Sequence, residues 1–211
     1  MDAQTLARLI DAMHATIKGH AAQLDALDDA IGDGDHGTNL ARGLDAVVAQ
    51  RKRLTTLPLG SALQEIGWVI ERETGGAGGT YYGLLLKAAG GAAPTGTPGP
   101  DDLLPMLQAG IEAVQAKGGA RKGEKTMLDV LLPVAQGMRS LITAGRADQI
   151  GSRIIAAAAH GLHATTHMEA KHGLAADLGV ASVNRMDAGA CSCALLLGAA
   201  VGALENTQQA A

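Results

Sequence analysis

The chain has no phenylalanine, one tryptophan and two tyrosines in 211 residues. Aromatic and β-branched runs, which suit pleated strands, are nearly missing, and this excludes a core built on sheets. Ala, Leu and Gly dominate instead, and small or unbranched side chains favour helices in close contact. There is no basic excess: 17 Lys and Arg stand against 21 Asp and Glu, for a net charge of −4. Nucleic acid is therefore excluded as the expected partner. The apolar runs read as too short for a membrane span, and no basic-then-apolar leader opens the chain, so a cytoplasmic protein without a membrane partner is expected. The two cysteines, Cys191 and Cys193, stand two apart in a helical pattern and point in different directions. They read as buried thiols in a reducing compartment rather than a disulfide or a metal pair.

The length suits one domain, residues 1–211. Leu6, Ile10, Met13, Ile17 and Leu24 recur at helical spacing and predict a helix from about Asp2 to Asp28. Further apolar stripes predict helices over about Thr38–Arg53, Leu59–Glu73 (with Leu63, Ile66, Trp68 and Ile70), Thr80–Ala89, Asp101–Lys117, Met127–Leu141, Ala147–Lys171 and a last one ending near Leu204. The fold class is all-α: an eight-helix antiparallel up-and-down barrel or bundle. In such an array the loops after the first, third, fifth and seventh helices gather at one rim.

The first of those loops holds the densest chemistry. Asp28 to Asn39 packs four carboxylates and three glycines between two helical patterns. Asp28, Asp33 and Asp35 are spaced to face one small cavity, where they repel unless a cation sits among them. An all-oxygen donor set points to Mg²⁺ or Ca²⁺. An EF-hand is excluded, because from Asp33 the glycine position holds Thr38 and the twelfth residue is Leu44. The glycines leave backbone N–H groups free for an anion such as phosphate. Asp-Gly pairs are also ordinary turn formers, so spacing alone leaves a plain connector open.

The other three loops are weaker by themselves. Gly75-Gly76-Ala77-Gly78-Gly79 precedes a helix start, a possible anion cradle, and does not match the Walker A template. Gly118 to Thr126 carries three cations and reads equally as a solvated turn. His160, His163 and His167 share a helix face without the H-E-x-x-H pattern of zinc enzymes, and read as structural. Asp187-Ala188-Gly189-Ala190 opens the last helix.

Taken together, the four loops resemble the L subunit of the dihydroxyacetone kinase family. The segments that carry the likeness are Ile31-Gly32-Asp33-Gly34-Asp35-His36-Gly37, the turn from Gly75 through Gly83, Gly123-Glu124-Lys125-Thr126-Met127 with Asp129, and Asp187 to Ala190. The resemblance implies an eight-helix barrel with ADP or ATP at one rim and two Mg²⁺ ions on Asp28, Asp33 and Asp35. It implies phosphate contacts from His36, Gly37, Thr38, Asn39, Ala77 and Gly78. Gly118 and Met127 would line the nucleotide pocket, and Asp187, Ala188 and Gly189 would close it. It further implies a homodimer, a separate K-type subunit that holds the ketose, and either exchangeable ATP or ADP recharged by a phosphotransferase-system phosphocarrier.

This chain departs from the family at Gly78, where Ser is usual, at Ala188, where Pro is usual, and at Glu124, where Asp is usual. Leu174 stands near a position that is often basic. Two rivals follow: a nucleotide-loaded regulatory partner without transfer activity, and a metal-dependent phosphohydrolase. The hydrolase is disfavoured because no water-activating base stands out beside the Asp cluster.

Overall fold

Asp2 starts the first helix, accepting the Thr5 N–H at 2.8 Å and the Thr5 hydroxyl at 2.7 Å, which satisfies one of the donors a helix start leaves open. Helix α1 runs Ala3–Asp29 and buries Leu6, Ile10, Ile17 and Leu24 along one stripe. The computed structural model describes residues 1–209, and among these there are helices and no strand. Seven more long helices follow: α2 (His36–Ala49), α3 (Leu59–Thr74), α4 (Gly76–Gly91), α5 (Pro100–Gly118), α6 (Leu128–Thr143), α7 (Ile150–Thr165) and α8 (Ala188–Gln209). Each packs on the next, and α8 returns to α1, which closes the ring into an antiparallel barrel. Its centre is aliphatic, with Ile17, Leu24, Leu40, Val47, Leu128, Leu131 and Val134 fully buried.

Glycine takes the place of large side chains at the helix contacts. A Cβ on Gly67 would lie 2.7 Å from the Gly83 carbonyl oxygen, and one on Gly90 would lie 2.5 Å from that of Gly60. Helices α3 and α4 therefore touch backbone to backbone at two levels. Between α6 and α7, a Cβ on Gly161 would come within 2.2 Å of the Asp129 carbonyl oxygen. Close-packed interiors need matched volumes rather than aromatic bulk, and here the backbones supply the match.

Several boundaries differ from the sequence expectation. Helix α4 starts at Gly76, not near Thr80, because positive φ at Gly75 and Gly76 (74° and 60°) turns the chain at once. The glycine-rich stretch is thus mostly the first turn of a helix. The second helix ends at Ala49, and Arg51–Leu54 forms a separate turn. Helix α7 stops at Thr165, so His167 lies beyond it, and the following segment holds two short helical turns, Gly173–Ala176 and Gly179–Ser182. Trp68, grouped with the apolar stripe of α3, is 57% exposed, with the Lys87 ammonium 3.8 Å from its ring centre.

The apolar-run expectation also needs correcting. Ala188–Glu205 has a mean hydropathy of 1.6 and is, by length and composition, long and apolar enough to cross a membrane. Its Leu, Val, Cys and Ala residues raise the average although few of its side chains are large. In this fold it forms a barrel stave between α1 and α7.

Candidate functional site

Helix α1 delivers Asp28 in its last turn, and Asp33 and Asp35 follow in the connecting loop. Positive φ at Gly34 (78°) folds the loop back, so that the Gly34 and Asp35 N–H groups donate to Asp28 Oδ2 at 2.9 and 3.0 Å. Carboxylate oxygens of Asp28, Asp33 and Asp35 then lie within 4.8 Å of one another. None of the three forms an ion pair among the described residues. Three hard oxygen donors at that separation, without a counter-charge, fit a divalent cation such as Mg²⁺. No other group of His, Cys, Asp and Glu among the described residues has metal-ligand separations, the histidines near α7 included.

Helix α2 begins beside this triad. His36 is held by Ser192, 2.8 Å from its Nε2. Burial lowers the His36 pKa in spite of the pull of Asp28, Asp25, Asp35 and Asp33. Thr38 turns the other way: its N–H and hydroxyl donate to Asp25 on α1 at 2.9 and 2.6 Å. Burial works against the Asp25 charge, but these bonds outweigh it and hold the carboxyl below the usual range. Gly37 is a contact point, since a Cβ there would sit 2.1 Å from the Ala21 carbonyl oxygen.

Across the rim, Arg42 of α2 donates to the Glu73 and Thr74 carbonyl oxygens at 2.9 and 2.6 Å and ties the end of α3 to α2. The α5–α6 loop is organised by Asp129, whose carboxylate accepts the Gly123 N–H at 2.6 Å and the Thr126 N–H at 2.9 Å. That demand explains the Lys-Thr-Met-x-Asp spacing. Lys125 adopts positive φ (62°) and is 3% exposed. Its ammonium donates to the carbonyl oxygens of Thr165 (2.6 Å) and Arg185, stapling this loop to the end of α7 and the approach to α8. A Glu124–His172 pair at 2.6 Å adds a second tie. Asp187 accepts the Ala190 N–H at 2.6 Å as the cap of α8. Burial pushes its pKa up to about 6 against the pull of that bond and of Lys125.

The four loops enclose one cavity of about 610 Å³. Asp28, Asp33, Asp35, His36, Asn39, Ala77, Gly78, Met127, Asp187, Ala188 and Gly189 all line it, as the sequence reading groups them. Gly37, Thr38 and Gly118 do not. Gly118 lies one layer back, where a Cβ would meet the Tyr81 hydroxyl at 2.8 Å. The sequence reading missed Arg42, Tyr81, Lys125 and His172, all of which line the cavity. Only Lys125 carried a signal, as the cation lying inside the Lys-Thr-Met-x-Asp spacing.

A family profile described as the DAK2 domain matches residues 30–202. The chain belongs to the dihydroxyacetone kinase L subunit family. Among relatives of this L type, it is 32% identical over 213 residues to the ADP-binding subunit DhaL of a second PEP-dependent dihydroxyacetone kinase of Listeria innocua, covering 100% of this chain and 97% of the relative. The corresponding subunit of Escherichia coli is 32% identical over 174 residues, 80% of this chain and 81% of that one. D-erythrulose kinase of Mycolicibacterium smegmatis is 32% identical over 92% of this chain, which spans 34% of that longer protein. The same helical fold appears in the crystal structure of the dihydroxyacetone kinase of C. freundii in complex with AMP-PNP and Mg²⁺, with a TM-score of 0.73 at 24% identity, covering 96% of this chain and 33% of that one.

Proposed function

We propose that this chain is the nucleotide-binding subunit of a short-ketose kinase. The observation that carries this reading is the meeting of an uncompensated carboxylate triad with two helix starts, α2 and α4, around one cavity. The match over nearly full length to relatives named as ADP-binding subunits supports it.

In this reading Asp28, Asp33 and Asp35 hold Mg²⁺, two ions by the family resemblance, which supply positive charge against a polyphosphate tail. The chain's own residues do the positioning. The Ala77-Gly78 turn presents backbone N–H groups where a helix start favours an anion. His36 and Asn39 orient phosphate oxygens, and Met127 and Tyr81 give an apolar wall for the base. Asp187 to Gly189 close the far side. Gly37, Thr38 and Gly118 act through packing, by setting the approach of α1 to α2 and the seat of Tyr81. The ketose is held by a K-type partner that covers the mouth, and the γ-phosphoryl passes to its hydroxyl. Relatives of this length carry PEP-dependent names, which supports recharging of bound ADP by a phosphocarrier.

The test is mass spectrometry of gently purified protein, followed by dihydroxyacetone phosphorylation with a K-type partner, using ATP or a phosphocarrier as donor. ADP or ATP should co-purify, leave on chelation of Mg²⁺, and support transfer. Absence of bound nucleotide with Mg²⁺ present overturns the reading. Tight nucleotide binding without transfer from either donor leaves a regulatory partner instead.

A further inference from the structure

Behind the cavity lies a hydrogen-bond network that the proposed chemistry does not use. Ser192 of α8 is fully buried. Its Oγ lies 2.8 Å from His36 Nε2, 2.7 Å from the Tyr82 hydroxyl and 3.0 Å from the Gly189 carbonyl oxygen. Three helices, α2, α4 and α8, thus meet at one hydroxyl.

A serine hydroxyl has one proton and two acceptor lone pairs. If Ser192 donates to Gly189, both lone pairs are left to accept, one from the Tyr82 O–H and one from His36 Nε2–H. This arrangement uses the three short separations; the alternative Tyr82-to-Gly189 bond is longer, at 3.4 Å. For an uncharged ring this puts the His36 proton on Nε2 and leaves Nδ1 as a bare acceptor. The Nδ1–Cε1 edge faces the turn at Gly78, where a Cβ would stand 3.4 Å from both atoms, and both residues line the cavity.

A bare nitrogen repels a phosphate oxygen, which accepts and never donates. Turning the Ser192 hydroxyl from Gly189 to His36 Nε2 reverses the polarity of the ring: Nε2 accepts, and Nδ1–H donates into the cavity. Cavity water protonates Nδ1, and the Nε2 proton returns to that water when the Ser192 contact briefly opens, so the ring charge is unchanged and the heavy atoms end where they began. Tyr82, 5% exposed and held by the same hydroxyl, keeps Ser192 in place in both arrangements.

We propose that Ser192, braced by Tyr82, is a positioning residue that fixes the ring and tautomer of His36 and turns its Nδ1 edge from acceptor to donor when an anion enters the cavity. The second half of this statement rests on the nucleotide reading above; the first half does not.

The test is nitrogen-15 NMR of the histidine rings in the full chain, with the His36 signals assigned by their loss in His36→Gln. In ligand-free protein His36 should be the Nε2–H tautomer, and in Ser192→Ala it should become a mixture of the two forms. An unchanged tautomer in a folded Ser192→Ala overturns the positioning role. Should that variant not fold, Tyr82→Phe decides by the same readout, with a mixed tautomer expected. Saturating ADP with Mg²⁺ should move the wild-type proton to Nδ1, and Ser192→Ala should bind ADP about three- to tenfold more weakly. If ADP binds and the His36 signals stay as they were, the acceptor-to-donor change is wrong. If wild-type protein does not bind ADP, the nucleotide reading fails, and the ligand-free tautomer still decides what Ser192 does.

Discussion

On one side of the rim cavity, Asp28, Asp33 and Asp35 face one another with no ion pair to any of them among the described residues, and two of the three are exposed. On the other side, Lys125 is buried with carbonyl oxygens around its ammonium, Asp129 has a backbone N–H on each oxygen, and Asp187 caps α8. The first wall is charged and without an ion pair; the second is polar and complete. An unpaired set of like charges costs stability and is tolerable where water screens it. A buried polar network stabilises only when every member is satisfied. The difference separates the wall that waits for a ligand from the wall that holds the frame, and it makes Asp33 and Lys125 respond in opposite ways to substitution.

The largest effect is expected at the open wall. Asp33→Ala should abolish Mg²⁺-dependent retention of ADP, a loss beyond the roughly ten- to hundredfold seen when groups supporting a metal ligand are removed. Its thermal midpoint should stay level or rise, because a repulsion is relieved. Mass spectrometry and a melting curve on the same sample check both; nucleotide retained at wild-type level breaks the comparison. Next comes the closed wall. Lys125→Met leaves the Thr165 and Arg185 carbonyl oxygens without their donor and should destabilise the fold by about 3 kcal/mol, read by urea unfolding. A loss under about 1 kcal/mol would show that the staple is not what holds the two loops together.

The smallest effect concerns pH. Asp187 keeps its proton up to about pH 6 in the fold, against 3.8 for the ordinary carboxyl. The native state therefore binds more protons across that window, and the contribution of this residue to stability falls as pH rises through it. Asp187→Asn should remove that fall. At pH 7 the gain should be about 2 kcal/mol, less than the full shift implies because the carboxylate reaches the solvent-filled cavity. Urea midpoints of both proteins at pH 4 and pH 7 measure it, and equal pH slopes would place the burial penalty elsewhere.

Much of the arrangement was legible in the sequence because it follows from two periodicities. Eight stripes at helical spacing predict eight staves, and alternation then puts the loops around Asp33, Gly78, Lys125 and Asp187 at one end. What stayed hidden depends on direction rather than spacing. Thr38 sits one residue from Asn39, yet it turns to Asp25 while Asn39 faces the cavity. Trp68 belongs to an apolar stripe by composition, but the α3–α4 contact is made by glycines and leaves no room for an indole, so it lies outside under Lys87. Lys125 looks like a solvated cation beside Arg121 and Lys122; only the carbonyl groups converging from residues 165 and 185 give it a buried seat. Such acceptors come from far along the chain and leave no local trace.

The closure of α8 onto α1 has a practical side. An even number of staves brings the start of α1 and the end of α8 to the same end of the barrel, away from the cavity. A label, tether or fused protein placed on either helix end therefore leaves the opening free for whatever docks there. For the same reason the two ends can be joined and the ring cut within residues 92–99, on that same remote side, with the four loops of the mouth kept in their order around it.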